Sequence, residues 1–482
     1  MISHKIFELL SNLDRKEMTR FREFADSPYH NKHRDVRALT EYLSRIFPQF
    51  NERNCRRETI WNAVAPDRPY DFAQLALLFT YTRRLLDDFL MQEQFWRQPD
   101  QQNLLLLSEL RRRNLFDLYE KKLRQTGSPT PDDGTAALSR YLLAAEADAY
   151  FTRAERRRND ESLQQKANLL DAFYLAEKLR DACEMQVRRH ILKVDYSSRL
   201  LDAVLREVGD NITEYAHDPA IFLYYHIYRM LSRDEESQRY FEALEALRQR
   251  QEVFDKTRLS ELYNYFQNYC IRRINLGDER FLEEIFKLYL ILIEQELLYE
   301  DGLLSEWHYK NIITTGIRLR RLPWVRAFIE SQKERLPPDA RDNAYRFNLA
   351  AYHHAAGEYD AVLQLLLQVE YSDVRYSLGA KALLLRTYYE LHEWEALDSL
   401  VGSMRQYLQR NRLLADFNRN GYHNLFRFTR RAAAIRSQSA YLSDEKYRSE
   451  LERLRRELSL AGEIFNKSWL MEKVEELAGC EG

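Results

Sequence analysis

The chain has few of the residues that interrupt helices. Its 482 residues include 13 glycines and 11 prolines, whereas β-rich proteins use many of both at their turns. Alternating β-branched runs of the kind that flank hairpin turns are also absent. Hydrophobic residues make up 45% of the chain and charged residues 31%, which is typical of amphipathic helices. We therefore expect an all-α protein.

Cysteine is scarce, and its spacing excludes two kinds of site. The four cysteines are scattered without a CxxC pair, at Cys55, Cys183, Cys270 and Cys480. This spacing argues against a disulfide framework and a zinc site. Lys5 and Glu8 stand where a secretory signal needs an unbroken apolar core, and no stretch approaches about 18 uncharged apolar residues. We expect a soluble cytoplasmic protein with reduced thiols and no membrane association.

The motifs of common enzymes are missing. The sequence contains no GxxxxGK[ST], GxGxxG, GxSxG or HExxH, so it lacks the usual phosphate cradles, nucleophile elbows and zincin helices. We therefore predict a protein that is not an enzyme and that needs no cofactor. The alternative is an enzyme with an unrecognised site where two domains meet, which would need titratable groups that converge only in the fold.

Two histidines offer the one candidate metal pair. His30 and His33 lie three residues apart in YHNKHRD, a spacing that can place two ligands on one helical turn. No cysteine or carboxylate pair accompanies them at ligand spacing. We therefore interpret this stretch as a loop rich in capping residues and predict no metal site.

The charge is balanced, with a strong preference for arginine. The net charge is −2, which gives no general attraction to nucleic acid, but 57 of the 73 basic residues are arginine. A nucleic-acid-associated or regulatory protein with Arg-rich faces is therefore the second hypothesis. RLRR at 318–321 is its best basic candidate, and the Tyr-rich stretches IFLYYHIYRM and LYNYFQNYC could stack bases. Packing between helices is the commoner use of such tyrosines.

Apolar spacing and breakers divide the chain. Asp14 and Glu17 have the spacing of an acidic capping pair, and residues 71–95 form a long run without breakers. Two glycines and two prolines in QTGSPTPDDGT mark a linker at 125–135. We predict an N-terminal helical domain at 1–124, divergent helical hairpins at 136–300, a clearer repeat at 301–410 and C-terminal capping helices at 411–482.

One aromatic recurs at a regular interval. Trp324, Tyr359 and Trp394 follow turns in RLRRLPWVRAFIE, HHAAGEYDAVLQL and YYELHEWEALDSL. They are 35 residues apart (359 − 324 and 394 − 359), which is close to the period of a helix–turn–helix repeat. We predict that each begins a second helix and is largely buried in the wedge between two helices. Upstream, Gly277 and Phe281 form a similar pair, with an insertion before the next unit.

Residues 308–410 resemble the tetratricopeptide family. In AAYHHAAGEYDAVLQLL, Ala350 matches the family's small residue, Tyr352 and Gly357 suit the turn, and Tyr359 opens the second helix. His392 stands where the family has its turn glycine. The resemblance implies a right-handed α-solenoid of tetratricopeptide-like hairpins behind the small N-terminal domain. The first segment is also similar to a group of uncharacterised bacterial proteins of like length, a resemblance that implies no activity.

This architecture leads to our main functional hypothesis, a nonenzymatic scaffold. Stacked hairpins leave first-helix side chains on an extended inner surface, where a protein or peptide segment can bind. The positions that we predict to line this groove are Tyr309, Arg320, Phe347, His354, Arg386, Tyr389 and Glu390. We expect the aromatics to anchor a partner and arginine to meet its carboxylates or phosphates.

Overall fold

The computed structural model describes residues 5–126, 134–153, 161–192, 194–232, 236–367, 374–410 and 416–479. Over these residues the chain forms 24 α-helices, three short 3-10 helices and one sheet of two strands. The all-α prediction is confirmed. The chain divides into two compact units, Met1–Glu177 and Lys178–Gly482. Residues 127–133 of the predicted linker lie outside the described residues.

The first unit contains eight complete helices and the start of a ninth. They are α1 (Lys5–Ser11), α2 (Arg15–Asp26), α3 (Arg34–Ile46), α4 (Arg57–Val64), α5 (Phe72–Trp96), α6 (Pro99–Arg112), α7 (Phe116–Gln125), α8 (Gly134–Arg153) and α9 (Glu161–Leu192). The division between the units falls inside α9.

The second unit continues with fifteen helices and one small sheet among the described residues. The helices before and after the sheet are α10 (Leu201–Asp210), α11 (Ile212–Tyr215), α12 (Pro219–Ser232), α13 (Gln238–Arg248), α14 (Lys256–Asn275), α15 (Arg280–Glu294), α16 (Glu306–Arg318), α17 (Leu322–Gln332), α18 (Arg341–Ala356), α19 (Tyr359–Leu366), α20 (Val374–Glu390), α21 (Trp394–Arg410), α22 (Asp416–Gln438), α23 (Asp444–Leu460) and α24 (Lys467–Gly479). The strands are β1 (Tyr299–Glu300) and β2 (Leu303–Leu304).

Local sequence signals explain several helix boundaries in the first unit. The backbone N–H of Glu17 donates to the Asp14 carboxylate at 2.7 Å, and that of Asp14 donates to the Glu17 carboxylate at 3.0 Å. This capping box starts α2, as the spacing predicts. Asp71 caps α5 through Gln74, so the breaker-free run forms one helix. The core beneath these helices includes Ile6, Phe21 and other residues of α1 to α5.

Helices of the second unit form successive hairpins. Between residues 306 and 410, α16 packs on α17, α18 on α19 and α20 on α21. The first helices also contact one another in order, from α16 to α18, α18 to α20 and α20 to α22. Each second helix meets the next first helix, as α17 meets α18 and α19 meets α20. The same interhelix contacts therefore recur from one hairpin to the next.

A left-handed residue ends the first helix of four hairpins. The residues are Gly277, Arg320, Gly357 and His392, with φ of 92°, 57°, 80° and 59°. At Gly357, the next backbone N–H reaches back to the carbonyl of His353 at 2.9 Å, and His392 is followed by the same bond to Tyr388. These bonds satisfy carbonyls that the helix end leaves open. Glycine adopts this conformation without steric cost, whereas Arg320 and His392 are strained by it.

A small β-hairpin accounts for the irregular spacing before the repeat. Tyr299 pairs with Leu304 and Glu300 with Leu303 in antiparallel register, and the turn residues Asp301 and Gly302 both have positive φ. An Asp-Gly pair favours this tight turn, although the flanking strands are too short to show alternation. The hairpin lies between α15 and α16, so it contributes to the insertion predicted after Phe281.

The C-terminal helices share a core with α20, α21 and α22. Leu451, Leu454 and Leu458 of α23 are buried, as are Leu470 and Val474 of α24. They belong to one cluster with buried residues of α20, α21 and α22. Both helices pack on α22. The apolar stripe of this segment therefore faces the preceding hairpin.

Candidate functional site

The recurring aromatics are half-buried. Tyr359 and Trp394 are the first residues of α19 and α21, as predicted, whereas Trp324 is the third residue of α17. Pro323 stands within the first turn of α17, where proline is favoured, and it shifts the helix start toward the N-terminus. The indole of Trp324 stacks on Phe328 at 5.1 Å between ring centroids. The three aromatics are therefore largely covered but keep some exposed surface.

Three of the predicted groove residues are buried in the second unit. Tyr309 and Tyr389 have no exposed surface and Phe347 is 7% exposed. The Tyr309 hydroxyl donates to the carbonyl of Ile329 at 3.0 Å, across the hairpin formed by α16 and α17. The prediction that these three aromatics lie exposed on a groove is therefore wrong. Neighbouring helices cover them, because large aromatic rings contribute most when they are buried.

The arginines of RLRR lie at the turn after α16, and two of them meet carboxylates of the protein. Arg320 is exposed at the left-handed turn after α16. Arg321 pairs with Glu283 at 2.6 Å, and Arg318 lies 3.9 Å from Glu279. The guanidinium of Arg321 also lies 4.5 Å from the ring centroid of Phe286. Carboxylates of α15 and the turn before it therefore face two of the three arginines of RLRR.

The Tyr-rich stretches pack between helices. Tyr224, Tyr263, Tyr265 and Tyr269 are all less than 10% exposed. Tyr269 stacks against Tyr240 with 5.6 Å between the ring centroids. Buried rings have no free face for a base, so the interpretation as interhelical packing is confirmed for these residues.

The polar members of the predicted groove lie in a different kind of site. His354, Arg386 and Glu390 come together at the end of α18 and α20, where they meet residues of α24. We call this site the hairpin-end cluster, and it consists of His354, Tyr359, Arg386, Glu390, Trp469 and Lys473. Trp469 and Lys473 lie one turn apart on α24. Sequence reasoning placed neither of them with the repeat residues.

Glu390 has two partners in the hairpin-end cluster. The indole N–H of Trp469 donates to Oε1 of Glu390 at 3.0 Å, and Nζ of Lys473 lies 3.1 Å from the same oxygen. The side chains of Glu390 and Lys473 are each 12% exposed. Lys473 also pairs with Glu476 at 2.7 Å. The lysine charge is therefore shared between two carboxylates.

Arg386 has no such partner among the described residues. No carboxylate lies within ion-pair distance of its guanidinium there, and its buried Nε makes no hydrogen bond. Its guanidinium carbon lies 6.0 Å from the centroid of the Trp469 ring. Burial lowers the pKa of Arg386 to about 10, although the Glu390 charge acts against that shift. Arg386 is therefore positively charged at neutral pH, and its Nε is a poorly satisfied donor.

His354 is the second poorly satisfied group. Its Nε2 is buried and has no hydrogen-bond partner in the described part of the chain. Burial lowers the pKa of His354 to about 3, with help from the charges of Arg386 and Lys473. The imidazole is consequently neutral near pH 7, and its ring packs edge-on against Tyr359 at 5.4 Å between centroids. A neutral imidazole can still donate one hydrogen bond.

A second surface feature surrounds Phe347, which we call the Lys310 platform. It consists of Trp307 and Lys310 of α16 and Phe347 of α18. Nζ of Lys310 lies 5.6 Å from the Trp307 ring centroid and 5.5 Å from that of Phe347. Trp307 and Lys310 are half-buried. The platform therefore presents one cation and one indole beside the contact between α16 and α18.

His30 and His33 have separate roles in the first unit. His30 stacks on Phe24 with 3.9 Å between centroids. The backbone N–H of Val36 donates to Nδ1 of His33 at 3.4 Å, which caps α3. The capping interpretation is confirmed for His33. Within the described residues, no group of three histidine, cysteine or acidic side chains is placed to hold a metal ion.

Comparisons with known proteins assign no family. No family model, curated protein or solved structure matches the chain. In the part of the chain that the structure describes, no helix is both long and apolar enough to cross a membrane. The geometry of the chain's own residues must therefore support any functional proposal.

Proposed function

We propose that the second unit is a tetratricopeptide-like scaffold that binds a segment of a partner protein and does no chemistry. The observation that carries this proposal is the side-by-side packing of α16, α18, α20 and α22. First helices that contact one another in order line a continuous surface, which suits an extended peptide. The proposal includes a right-handed solenoid as the arrangement of the stacked hairpins.

The groove that we now propose differs from the one predicted from the sequence. Its anchoring surface is the Lys310 platform, because Trp307 and Lys310 are accessible there while Tyr309 and Tyr389 are not. A half-exposed indole with an adjacent ammonium group offers apolar area and a hydrogen-bond donor to a peptide. Such aromatic residues commonly dominate the binding energy of an interface.

The experiment is affinity capture from a native lysate of the source organism with the full chain as bait. Lys310→Glu reverses the charge beside Trp307 and should abolish recovery of a specific partner. Lys333→Glu is the matched control, because Nζ of Lys333 lies over the ring of Tyr345 at 4.4 Å in a different place on the hairpins. Recovery by the parent and the control, but not by Lys310→Glu, supports the groove.

Two results would contradict the proposal. The first is a partner that both variants retain, since the Lys310 platform would then have no part in binding. The second is recovery that disappears after nuclease treatment, which would favour a nucleic-acid-associated protein instead.

A further inference from the structure

A cleft of about 370 Å³ lies beside α5 in the first unit, and we call it the α5 cleft. One wall is the loop before α3 together with the first turn of that helix, and the other wall is a face of α5. The residues that line it are 30–33, Val36, Tyr81, Arg84, Leu85 and Asp88. Sites that bind small molecules typically have volumes of roughly 300–1,000 Å³. The α5 cleft is therefore large enough to hold a small ligand.

Hydrogen bonds hold the loop wall of the α5 cleft in a defined shape. Asn31 is buried, and its side-chain amide donates to the carbonyl of Ala25 at 2.8 Å. Oδ1 of Asn31 accepts from the backbone N–H of His33 at 2.9 Å. Nδ1 of His33 accepts from the backbone N–H of Val36, so Nε2 carries the ring proton when the imidazole is neutral. The protein itself forms this wall, which lowers the cost of ordering it when a ligand binds.

The opposite wall places four different side chains on one face of α5. The spacing of i, i+3, i+4 and i+7 on one helix is shared by Tyr81, Arg84, Leu85 and Asp88. Leu85 and Val36 are buried and supply an apolar floor. Tyr81 is exposed, and its ring centroid lies 5.9 Å from that of His33. The α5 cleft thus combines an apolar floor with a wall of two neighbouring rings.

Groups of both charges surround the α5 cleft. Lys32 and Arg84 are cations and Asp88 is an anion, and all three are exposed. Among the residues that the structure describes, none of the three forms an ion pair, whereas the adjacent Arg83 and Asp87 pair at 3.9 Å. Water solvates exposed charges, so none of these groups needs a ligand for its own stability. Their placement around one cavity nevertheless suits a ligand that carries both a carboxylate and an ammonium group.

From this arrangement we infer that the α5 cleft binds a free α-amino acid with an aromatic side chain. The ligand carboxylate pairs with Arg84 through two parallel hydrogen bonds, and Lys32 is the second cation beside it. The ligand ammonium group donates to the Asp88 carboxylate. The aromatic ring packs on the apolar floor and against the rings of Tyr81 and His33. This site lies in the first unit and is independent of the proposed partner groove.

Other classes of ligand match the α5 cleft less well. A peptide segment has its terminal ammonium and carboxylate groups at opposite ends, whereas a free amino acid has both on one carbon atom. A nucleotide offers phosphate to Lys32 and Arg84 but no cation to Asp88, which would repel its negative charge. An amino acid with a small side chain leaves the apolar floor uncovered. The charges and the floor together therefore favour an aromatic amino acid.

The ligand is tested by NMR line broadening of L-phenylalanine in the presence of the full chain. The titration is made at about pH 7, at which carboxylates are ionised and amines are mostly protonated, and we expect saturable binding. Three analogues each lack one recognised group. L-phenylalaninamide lacks the carboxylate, N-acetyl-L-phenylalanine lacks the ammonium group, and L-alanine lacks the ring. Each analogue should bind at least about tenfold more weakly, because it loses a charge-assisted hydrogen bond or the burial of the ring.

Two substitutions match each protein charge with one group of the ligand. Arg84→Met should weaken L-phenylalanine binding about tenfold and should bind L-phenylalaninamide no more weakly than the parent does, because the guanidinium and the carboxylate act on each other. Asp88→Asn should show the same relation with N-acetyl-L-phenylalanine. Both side chains are exposed, so the variants should fold, which far-UV circular dichroism verifies. The matched controls are Arg83→Met and Asp87→Asn, since these residues lie one position earlier on α5 and pair with each other outside the cleft.

The variants separate this site from a general effect of charge. Binding of L-phenylalanine that both controls retain, and that Arg84→Met and Asp88→Asn weaken, supports the α5 cleft. The inference is overturned if the parent shows no saturable binding, or if the amide or the N-acetyl derivative binds as well as L-phenylalanine. Equal losses in all four variants also overturn it, because the charge of α5 would then act without the cleft. L-alanine that binds like L-phenylalanine overturns it as well, because the floor and the rings would then have no part in binding.

Discussion

His354 and Tyr389 occupy equivalent positions in successive hairpins, 35 residues apart (389 − 354). Each ring packs edge-on against the aromatic residue that begins the next helix. The centroid distances are 5.4 Å from His354 to Tyr359 and 5.8 Å from Tyr389 to Trp394. The recurring aromatic of the second helix therefore meets a ring on the first helix of its own hairpin. Each of these contacts closes one end of a wedge between two helices.

Replacing Trp394 should reveal how much this contact stabilises the fold. Full truncation of a large buried aromatic costs about 3–5 kcal/mol, so we expect about 2–4 kcal/mol for Trp394→Ala, which is half-buried. The indole contacts both Tyr389 and His392. Urea unfolding measures the change. The control is Tyr441→Ala, because Tyr441 is 89% exposed. If both variants lose the same free energy of unfolding, the packing of Trp394 between the two helices does not stabilise the fold.

Glycine at the left-handed turn after α16 should stabilise the chain. Arg320 has φ 57° and an exposed side chain, so Arg320→Gly relieves a steric cost without removing a buried contact. The expected gain is about 0.5–1 kcal/mol, reduced by the greater freedom of glycine in the unfolded chain.

The opposite substitution tests the same turn geometry. Gly357 has φ 80°, and a β-carbon added at this position would meet no atom within 4 Å. Gly357→Ala should therefore destabilise through backbone strain alone, by about 1 kcal/mol. Thermal unfolding should place Arg320→Gly above the parent and Gly357→Ala below it. The reverse order would show that the two turns have other conformations.

The buried histidine predicts an acid-sensitive fold. The pKa of His354 is about 3 in the folded protein, because of burial and of the charges on Arg386 and Lys473, and the ordinary value is 6.5. Between these values the unfolded chain binds the proton and the folded chain does not. Stability should consequently fall as the pH drops from about 6.5 toward 3 and should lose no more through this group below that range.

Substitution isolates the contribution of His354. His354→Gln removes the titrating group, so its unfolding free energy should decline less than that of the parent over the same pH interval. His217→Gln, at an exposed histidine of the same unit, is the matched control. Urea unfolding at successive pH values makes the comparison. Parallel curves for the parent and His354→Gln would mean that His354 is protonated in the folded protein.

Deletion of the C-terminal segment tests whether it caps the repeat. Removing residues 444–482 exposes the apolar cluster that α23 and α24 share with Leu425 and Phe428. A cap shields the last hairpin from solvent, so the shortened protein should bind an apolar dye, aggregate and melt earlier. Removing only residues 480–482 is the control. A monomeric product with the melting temperature of the parent would instead identify a detachable helix.

Local signals in the sequence predicted much of the helical architecture. The Asp14 and Glu17 pair starts α2, Asp71 starts the long α5, and Gly357 ends α18. Tyr359 and Trp394 each begin a second helix. These features depend on backbone groups a few residues away, so short stretches of sequence contain the information that determines them.

The site depended on contacts that no short stretch contains. Trp469 meets Glu390 across 79 residues of sequence, and helical spacing on α20 gives no sign of α24. The burial of Tyr309 and Tyr389 likewise follows from helices packed on both sides. The sequence by itself determined where helices start, end and repeat, because those choices are local. Only the tertiary structure decided which side chains are covered and that Glu390 meets Trp469 and Lys473, because burial and pairing depend on helices distant in sequence.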